Sequence, residues 1–281
     1  MTRSRSRSGS APPPCAESSS ARSPSPNPAA VPTSGICGPR RSATATTSSS
    51  TDPRRSSLPL SGPTSWSPQS APAVPARPGV SLLVIEKGTP GFEVARKLDK
   101  MGWRASDTAE LSLVDARVPA ANLVGEENSG FAQIAQAFLT ERIALAAQAY
   151  SSAQRCLDLT LQWVRDRETF GRPLISRQSV QNTVTEMARK TDVARVYTRA
   201  LVERSLVSNE DFIAEVCFAK NTAVESGEWV ANQAVQLFGG LGYMRESEVE
   251  RQYRDMRILG IGGGTTEILT GLAAKRLGYQ S

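Results

Sequence analysis

The pattern of apolar and polar positions divides the chain near residue 78. Residues 1–78 show neither the alternation of a strand nor the three-to-four spacing of a helix. Beyond residue 78, residues 80–86 form a short apolar run, and residues 92–98 and 109–118 alternate between apolar and polar. These three runs predict three strands.

The period becomes helical at Gly130. Residues 131–167 form one stretch, which the sequence Phe170-Gly-Arg-Pro interrupts because proline fixes φ and lacks an amide donor. Two further stretches repeat apolar residues at helical spacing, namely Val180, Val184, Met187, Ala194, Tyr197 and Leu201, then Phe212, Val216, Ala219, Ala223, Val230, Ala234 and Leu237. The third helix ends at Gly239-Gly240, and a last helix over 265–277 follows a Gly-rich loop, with Thr265 as its N-cap.

The fold class that follows is mainly α. Three or four long antiparallel helices with short connections predict a four-helix-type bundle, preceded by a few strands. We therefore expect three regions: a disordered segment over 1–78, a β-segment over 79–127 and a helical bundle domain over 128–281.

Composition separates the first segment from the rest. Residues 1–78 hold 15 of the 18 prolines and nine arginines against two acidic residues, whereas the remaining 24 basic and 25 acidic residues nearly cancel. With so few large apolar residues, the segment cannot offset its ordering entropy by burial. Arg-Ser alternation over residues 3–8 could suggest RNA binding, but it is short and no aromatic platform follows, so we expect no nucleic-acid partner.

Several function classes are excluded by what the sequence lacks. The chain has no histidine, which excludes Ser-His-Asp and Cys-His mechanisms and His-ligated metals. Its four cysteines form no CxxC pair, which argues against zinc and against a disulfide framework. No apolar run approaches the ~18 residues of a membrane span, and no apolar stretch follows the N-terminal arginines. We expect a cytoplasmic protein without a metal.

Three motifs combine groups that suit phosphates. The first is Arg167-Glu-Thr-Phe170-Gly with Gln178, the second runs from Gln236 to Asp255, and the third is Gly-Gly-Gly-Thr265-Thr-Glu at the start of the last helix. Glycine-rich turns and helix N-termini expose N–H groups, and arginine adds a bidentate anion clamp. Each motif alone more often marks only the end or start of a helix, with an arginine on the surface.

Together the motifs resemble a family. Residues 79–281 are similar to the C-terminal part of the FAD-dependent acyl-CoA dehydrogenases, with Q-x2-G-G-x-G-Y-x2-E-x4-R-x3-D from Gln236 to Asp255 matching that family's signature. Residues 101–125 look like the stretch that closes its small β-barrel, and residues 167–174 look like its cofactor loop. The resemblance implies a homo-oligomer, FAD as cofactor, an acyl-CoA substrate and electron-transfer flavoprotein as acceptor.

The resemblance also implies roles for single residues. One set matches positions that hold FAD across a dimer interface or touch it again further along the chain: Arg167, Phe170, Gln178, Gln236, Leu237, Phe238, Gly239 and Gly240. A second set, Thr265, Thr266 and Glu267, matches contacts to the FAD of the same subunit. Gly263 and Gly264 would line the thioester pocket, and Arg142 would lie beside the CoA end.

The catalytic base departs from the family's common pattern. Many members carry a glutamate in the Gly-rich loop, where this chain has Gly263. A branch that includes isovaleryl- and long-chain-type enzymes places it on the first long helix within L-x-x-E-R, which matches Leu139 to Arg142. Glu141 is therefore the expected base. The alternative for Glu141 is an exposed helix glutamate without a catalytic role, and Glu267 is the second candidate for the base.

The family's first half, which also contacts flavin, has no counterpart in residues 1–78. Back-translated and read one base earlier, residues 26–34 permit EPGSGSDL, residues 50–58 permit NGSKTFIT and residues 61–73 permit RADFVVTAVRTG. All three lie in one register and in the family's order. We hypothesise that this segment is out of frame, which the coding DNA decides, and that the chain as written is impaired. The alternatives are an acyl-CoA oxidase on the same scaffold and a non-enzymatic helical remnant that oligomerises.

Overall fold

A computed structural model describes residues 79–208 and 210–279. The expectations for residues 1–78 lie outside the described residues. The strands are β1 (Leu82–Leu83), β2 (Phe92–Lys97), β3 (Ala109–Leu113), β4 (Leu123–Val124), β5 (Glu168–Thr169) and β6 (Arg172–Pro173). The α-helices are α1 (Gly130–Asp166), α2 (Gln178–Val207), α3 (Ile213–Phe238), α4 (Glu248–Met256) and α5 (Thr266–Arg276). Short 3₁₀ turns span Ala120–Asn122, Leu174–Ser176, Gly239–Tyr243 and Arg257–Gly260.

The strands are shorter than the sequence pattern predicts. They pair in three antiparallel two-stranded ladders, β1 with β4, β2 with β3, and β5 with β6. The run over 80–86 contributes only Leu82–Leu83, because its described partner β4 is equally short. The run over 109–118 ends as a strand at Leu113, and Asp115 turns the chain with a φ of +48°. The described strands therefore form open ladders, not a closed barrel.

The predicted bundle is confirmed, with one helix that the sequence analysis missed. α1 and α3 pack through columns of small residues, which allow the two helices to approach closely. Ala146, Ala149 and Ala153 of α1 and Ala223, Ala231 and Ala234 of α3 are all fully buried. The missed helix is α4, whose sequence EVERQYRDM buries only Val249 and Met256. Two buried residues in nine are too few to produce a visible apolar period.

The core contains a thiol that should make stability depend on alkaline pH. Burial raises the pKa of Cys156 to about 12 from a model-peptide value of 9.0. Above pH 9 the unfolded chain ionises this thiol while the folded chain does not, so its contribution is complete below pH 9 and is lost as pH rises toward 12. Near pH 11 the loss is roughly 3 kcal/mol.

Chemical denaturation across this pH range checks the expectation. Cys156→Ala removes the thiol and should flatten the decline in the free energy of unfolding between pH 9 and 11 relative to the unsubstituted chain. The packing loss at this buried site lowers the free energy of unfolding equally at every pH. The test is therefore the slope of that free energy against pH and not its absolute value. Equal slopes in both proteins would show that the thiol ionises in the folded state.

Candidate functional site

The Gly-rich loop before α5 turns on two residues with positive φ. Gly263 has a φ of +67° and Gly264 a φ of +107°, which side-chain-bearing residues rarely adopt. The turn leads directly into α5, where the Thr265 hydroxyl accepts a hydrogen bond of 3.4 Å from the amide of Ile268. The predicted N-cap at Thr265 is therefore confirmed, and it fixes where the loop ends.

Two buried cations hold this loop by its carbonyl oxygens. The Arg142 Nε donates to the oxygen of Gly263 at 2.9 Å, and the Lys220 Nζ donates to the oxygen of Gly264 at 2.7 Å. Only 8% of Arg142 and none of Lys220 is exposed. Burial lowers the pKa of both groups, and the charge of Arg142 lowers the pKa of Lys220 further. The loop path is thus set by α1 and α3.

Glu141 lies where a side chain from the loop would begin. A Cβ built on Gly263 would lie 3.9 Å from the Glu141 Oε1 and 2.8 Å from the Leu145 Cδ1. Glu141 itself is half-buried. A carboxylate carried by α1 therefore lies beside the point from which a side chain of residue 263 would extend. The structure brings Glu141, Arg142, Gly263 and Gly264 together.

The first residues of α5 differ from Glu141 in their exposure and hydrogen bonds. The Asn221 Nδ2 donates to the Thr266 carbonyl at 3.2 Å, while the Asn221 Oδ1 is buried without a partner among the described residues. Glu267 is exposed, and its own backbone N–H and the Thr265 hydroxyl lower its pKa. A stabilised, exposed carboxylate suits a contact with a ligand better than proton abstraction.

An apolar groove of about 490 Å³ opens beside Arg142. Its walls are the N-terminal half of α1, the first residue of α3 and the C-terminal half of α5. Phe138 and Leu139, which precede Glu141 on α1, lie in its wall, and the Arg142 guanidinium lies 5.3 Å from the centre of the Phe138 ring. Space for an apolar group therefore adjoins the helix segment that carries Glu141.

The β5–β6 hairpin stores backbone strain at its tip. The two turn residues are Phe170, with a φ of +53°, and Gly171, with a φ of +71°, a combination required by a type I′ turn. An aromatic residue at positive φ costs about 1–3 kcal/mol. Phe170 as a residue is nevertheless 95% exposed, with the Arg177 guanidinium 5.3 Å from the centre of its ring. The strained turn therefore presents an aromatic side chain to solvent.

The chain around this hairpin presents the other predicted residues. Arg167 ends α1 and Gln178 begins α2, and both are exposed. The Arg177 Nη2 donates to the Thr169 carbonyl at 2.9 Å, which braces the hairpin from behind. Arg167, Phe170 and Gln178 therefore form one exposed group at this end of the bundle.

The segment Gln236–Gly240 lies at the same end. The Trp163 Nε1 donates to the Leu237 carbonyl at 3.0 Å, and its ring stacks on Phe238 with centroids 5.0 Å apart. Because Trp163 is four residues before Arg167, these contacts place the end of α3 beside the end of α1. Gln236, Gly239 and Gly240 are exposed there.

The structure thus forms two groups of candidate residues that do not meet within one chain. Glu141 and Arg167 are 26 positions apart on α1 and its C-cap. At 1.5 Å per residue they are separated by roughly 39 Å along the helix. The base group contains Glu141, Arg142 and the loop; the hairpin group contains Arg167, Phe170, Gln178 and Gln236–Gly240.

Four residues that position these groups were not predicted from the sequence. Lys220 interrupts the apolar stripe of α3 between Ala219 and Ala223, so a lone lysine on a buried face was the available signal. Asn221 follows it without a comparable pattern. Arg177 and Trp163 act through contacts with residues distant in sequence, which no local pattern reveals.

Comparisons with known proteins identify the family of the helical domain. Residues 128–278 match the family profile of the acyl-CoA dehydrogenase C-terminal domain. The acryloyl-CoA reductase (NADH) of Anaerotignum propionicum is 42% identical over 193 residues, which are 68% of this chain and 48% of that protein. A crystal structure from Mycobacterium smegmatis assigned to the acyl-CoA dehydrogenases is 78% identical, with a TM-score of 0.71 over 72% of this chain and 53% of that chain. An FAD complex of PigA is 26% identical, with a TM-score of 0.68 over 72% and 52% of the two chains.

The helical bundle and its Gly-rich loop therefore define the C-terminal domain of a flavoprotein fold. The chain belongs to the acyl-CoA dehydrogenase family. It spans about half the length of the curated relatives it matches. Within the described residues, no helix is long and apolar enough to cross a membrane, and no three acidic or cysteine side chains cluster to hold a metal.

Proposed function

We propose that this chain supplies the C-terminal half of an FAD-dependent acyl-CoA dehydrogenase. The reaction is α,β-dehydrogenation of an acyl-CoA thioester to the trans-2-enoyl-CoA. The observation that carries the proposal is the position of Glu141, whose Oε1 lies 3.9 Å from the place where a side chain of residue 263 would begin. The base can then reside on α1 although the loop carries glycine.

Glu141 takes the proton from the α-carbon of the thioester as general base. Arg142 and Lys220 hold the opposite wall of the site by binding the loop carbonyls, so the loop does not move away from the carboxylate. Gly263 and Gly264 leave space for the thioester, and the groove beside Phe138 and Leu139 has an apolar lining that suits an acyl chain.

The hairpin group and the start of α5 would hold FAD, which supplies the hydride acceptor when bound. Arg167 suits a pyrophosphate because a guanidinium binds phosphate oxygens bidentately. The strained, exposed Phe170 offers a ring face, and Gln178 and Gln236–Gly240 offer polar side chains and open backbone next to it. Thr265, Thr266 and Glu267 stand at a helix N-terminus, where N–H groups favour a polar ligand.

The separation of the two groups supports a homo-oligomer. A flavin held by the hairpin group cannot also reach Glu141 of the same chain across roughly 39 Å of helix. A flavin shared between two subunits satisfies both groups, with the base from one subunit and Arg167 from the other. We propose electron-transfer flavoprotein as the oxidant, in line with the family, and oxygen as the alternative that a test for hydrogen peroxide would identify.

The flavin content of the chain tests the proposal. We expect the chain as written to hold far less than one FAD per chain, because it spans about half the length of its relatives. A chimera that joins the preceding part of the Mycobacterium smegmatis chain to residues 79–281 should hold one FAD per chain, and acyl-CoA should bleach that flavin without oxygen. Absorbance after protein precipitation gives the stoichiometry, and anaerobic titration gives the reduction.

The outcomes separate the parts of the proposal. A stoichiometry near one for the unmodified chain would contradict its impairment. A chimera that binds FAD but is not reduced by any acyl-CoA would contradict the dehydrogenase function. A stable oligomer of the chimera that never retains flavin would favour a non-enzymatic remnant.

A further inference from the structure

Leu145 lies where the first atom of a side chain on loop residue 263 would go. A Cβ built on Gly263 would lie 2.8 Å from the Leu145 Cδ1, which is closer than two carbon atoms approach without repulsion. The next nearest atoms are the Arg142 Cγ at 3.6 Å and the Glu141 Oε1 at 3.9 Å, which are ordinary contact distances. Of these three neighbours, Leu145 alone obstructs a side chain at residue 263.

Leu145 and Glu141 share one face of α1. They are four positions apart, so their side chains lie one helical turn from each other. Both side chains have an atom within 4 Å of the Cβ position at Gly263, so the face that they share is the one toward the loop. The helix that carries the carboxylate therefore also carries the obstruction.

The side chain of Leu145 has little freedom to move aside. It is 8% exposed and belongs to a buried apolar cluster that includes residues of α2, α3 and α4. The other members of this cluster are Ala146, Ala149, Ala194, Ala223, Val224, Met256 and Leu259, with Trp103 and Tyr150 packed against it. Because protein cores are close-packed, a change of rotamer at Leu145 would require several of these neighbours to shift.

The cluster is also held from the side of the β-segment. Trp103 has a φ of +48°, and its amide donates to the Asp255 Oδ1 at 2.6 Å. Gly102, which precedes it, lies so close to α4 that a Cβ there would be 2.5 Å from the Arg254 carbonyl oxygen. The connection between β2 and β3 therefore fixes Trp103 against the cluster that contains Leu145.

The loop is held in place opposite Leu145. Arg142 and Lys220 donate to the carbonyl oxygens of Gly263 and Gly264 at 2.9 Å and 2.7 Å. These two contacts need no particular side chain on the loop, so they do not themselves exclude a carboxylate there. The positive φ of Gly263 disfavours any side chain, but this effect does not depend on residue 145. The part of the exclusion that a neighbouring side chain imposes therefore comes from Leu145.

We propose that Leu145 is a positioning residue that confines the general base of this chain to α1. Its Cδ1 fills the space through which a carboxylate side chain of residue 263 would have to extend, so the carboxylate that approaches the thioester is that of Glu141. The role of Glu141 as base rests on the proposed function. The obstruction between residues 145 and 263 rests on the distance between them.

Chemical denaturation of the full chain tests the obstruction without substrate or flavin. Leu145→Val removes the Cδ1 and keeps a branched apolar side chain. Gly263→Ala should raise the unfolding equilibrium constant about tenfold more in the unsubstituted chain than in the Leu145→Val chain. Gly264→Ala is the matched control, because residue 264 also has a positive φ but its Cβ would meet the Leu269 Cδ2 at 3.0 Å. Its effect should agree within about twofold in the two chains.

Flavin reduction in the chimera tests the positioning role. Glu141→Gly/Gly263→Glu moves the carboxylate from α1 to the loop, and addition of Leu145→Val should accelerate anaerobic flavin bleaching by acyl-CoA about tenfold. Leu145→Val in the chimera that retains Glu141 and Gly263 should not accelerate bleaching, because the carboxylate of Glu141 does not extend past residue 145. A gain confined to the exchanged chimera is not expected of a residue that only fills the core.

The outcomes separate the obstruction from the proposed function. Equal effects of Gly263→Ala in the two chains would overturn the proposal, and so would an exchanged chimera that gains no rate from Leu145→Val. If Leu145→Val gives no cooperative unfolding transition, Leu145→Met replaces it, since methionine has nearly the same volume and a more flexible end. A normal rate of flavin reduction in Glu141→Gln would contradict the proposed base and overturn the positioning role with it, even if the stabilities of residues 145 and 263 are coupled.

Discussion

Glu141→Gln in the chimera should slow the reduction of bound flavin by acyl-CoA about 10²–10⁴-fold, the range that general-base catalysis contributes. Glutamine keeps the size and shape of the side chain, but it cannot accept the α-proton. FAD content should not change, because Glu141 belongs to the base group and not to the hairpin group. Stopped-flow measurement of flavin bleaching under anaerobic conditions gives the rate.

A matched control and an exchange of positions sharpen this result. Glu225→Gln removes an exposed carboxylate from α3 and should leave the rate within about twofold. Glu141→Gly combined with Gly263→Glu should recover part of the rate, because the new Cβ lies 3.9 Å from the former carboxylate oxygen. Recovery stays incomplete, since that Cβ would lie 2.8 Å from the Leu145 Cδ1 and residue 263 has a φ of +67°. A normal rate in Glu141→Gln would show that another residue is the base, and Glu267 would be the next candidate.

Mixing two inactive variants should restore activity. Glu141→Gln inactivates the base group and Arg167→Ala inactivates the hairpin group, and roughly 39 Å of helix separates the two in one chain. In a mixed dimer, one of the two sites combines an intact Glu141 from one subunit with an intact Arg167 from the other. With random assortment, about a quarter of the activity of the unsubstituted chimera should return.

The control places both substitutions in one chain. When the Glu141→Gln/Arg167→Ala chimera is mixed with unsubstituted chimera, we expect no complementation. The mixture should show only the activity of sites in which neither residue is substituted. Refolding the subunits together and assaying flavin reduction gives both values. No recovery from the first mixture, with mixed dimers shown by differential tags, would place each site within a single chain and contradict the shared flavin.

The long helices could be predicted because each has a repeated apolar stripe. Val180, Val184 and Met187 mark the buried face of α2 at helical spacing, and all are buried. α4 could not be predicted this way, since it has only Val249 and Met256 to bury. The prediction of strand lengths was wrong for another reason. Residues 80–86 are apolar enough for a strand, but the length of a strand depends on a pairing partner that the local sequence does not specify.

The residues of the candidate site divide in the same way. Thr265 as N-cap and Gly239 as helix end follow from local backbone chemistry, and both appear in the structure. Glu141, by contrast, came from the family resemblance, and only the fold shows its carboxylate beside Gly263. Lys220 was missed because its partner is a carbonyl oxygen 44 positions away. Main-chain oxygens occur at every residue, so sequence patterns cannot identify one as a partner.

That dependence on main-chain oxygens has an evolutionary consequence. Arg142 and Lys220 hold the loop through main-chain oxygens, which every amino acid possesses, so these two contacts do not depend on the side chains that the loop carries. Residues 261 and 262 can then vary without rebuilding the supports on α1 and α3, whereas Gly263 and Gly264 are constrained by their positive φ. The same independence would allow a carboxylate base on either the loop or α1, with one pair of supports serving both positions.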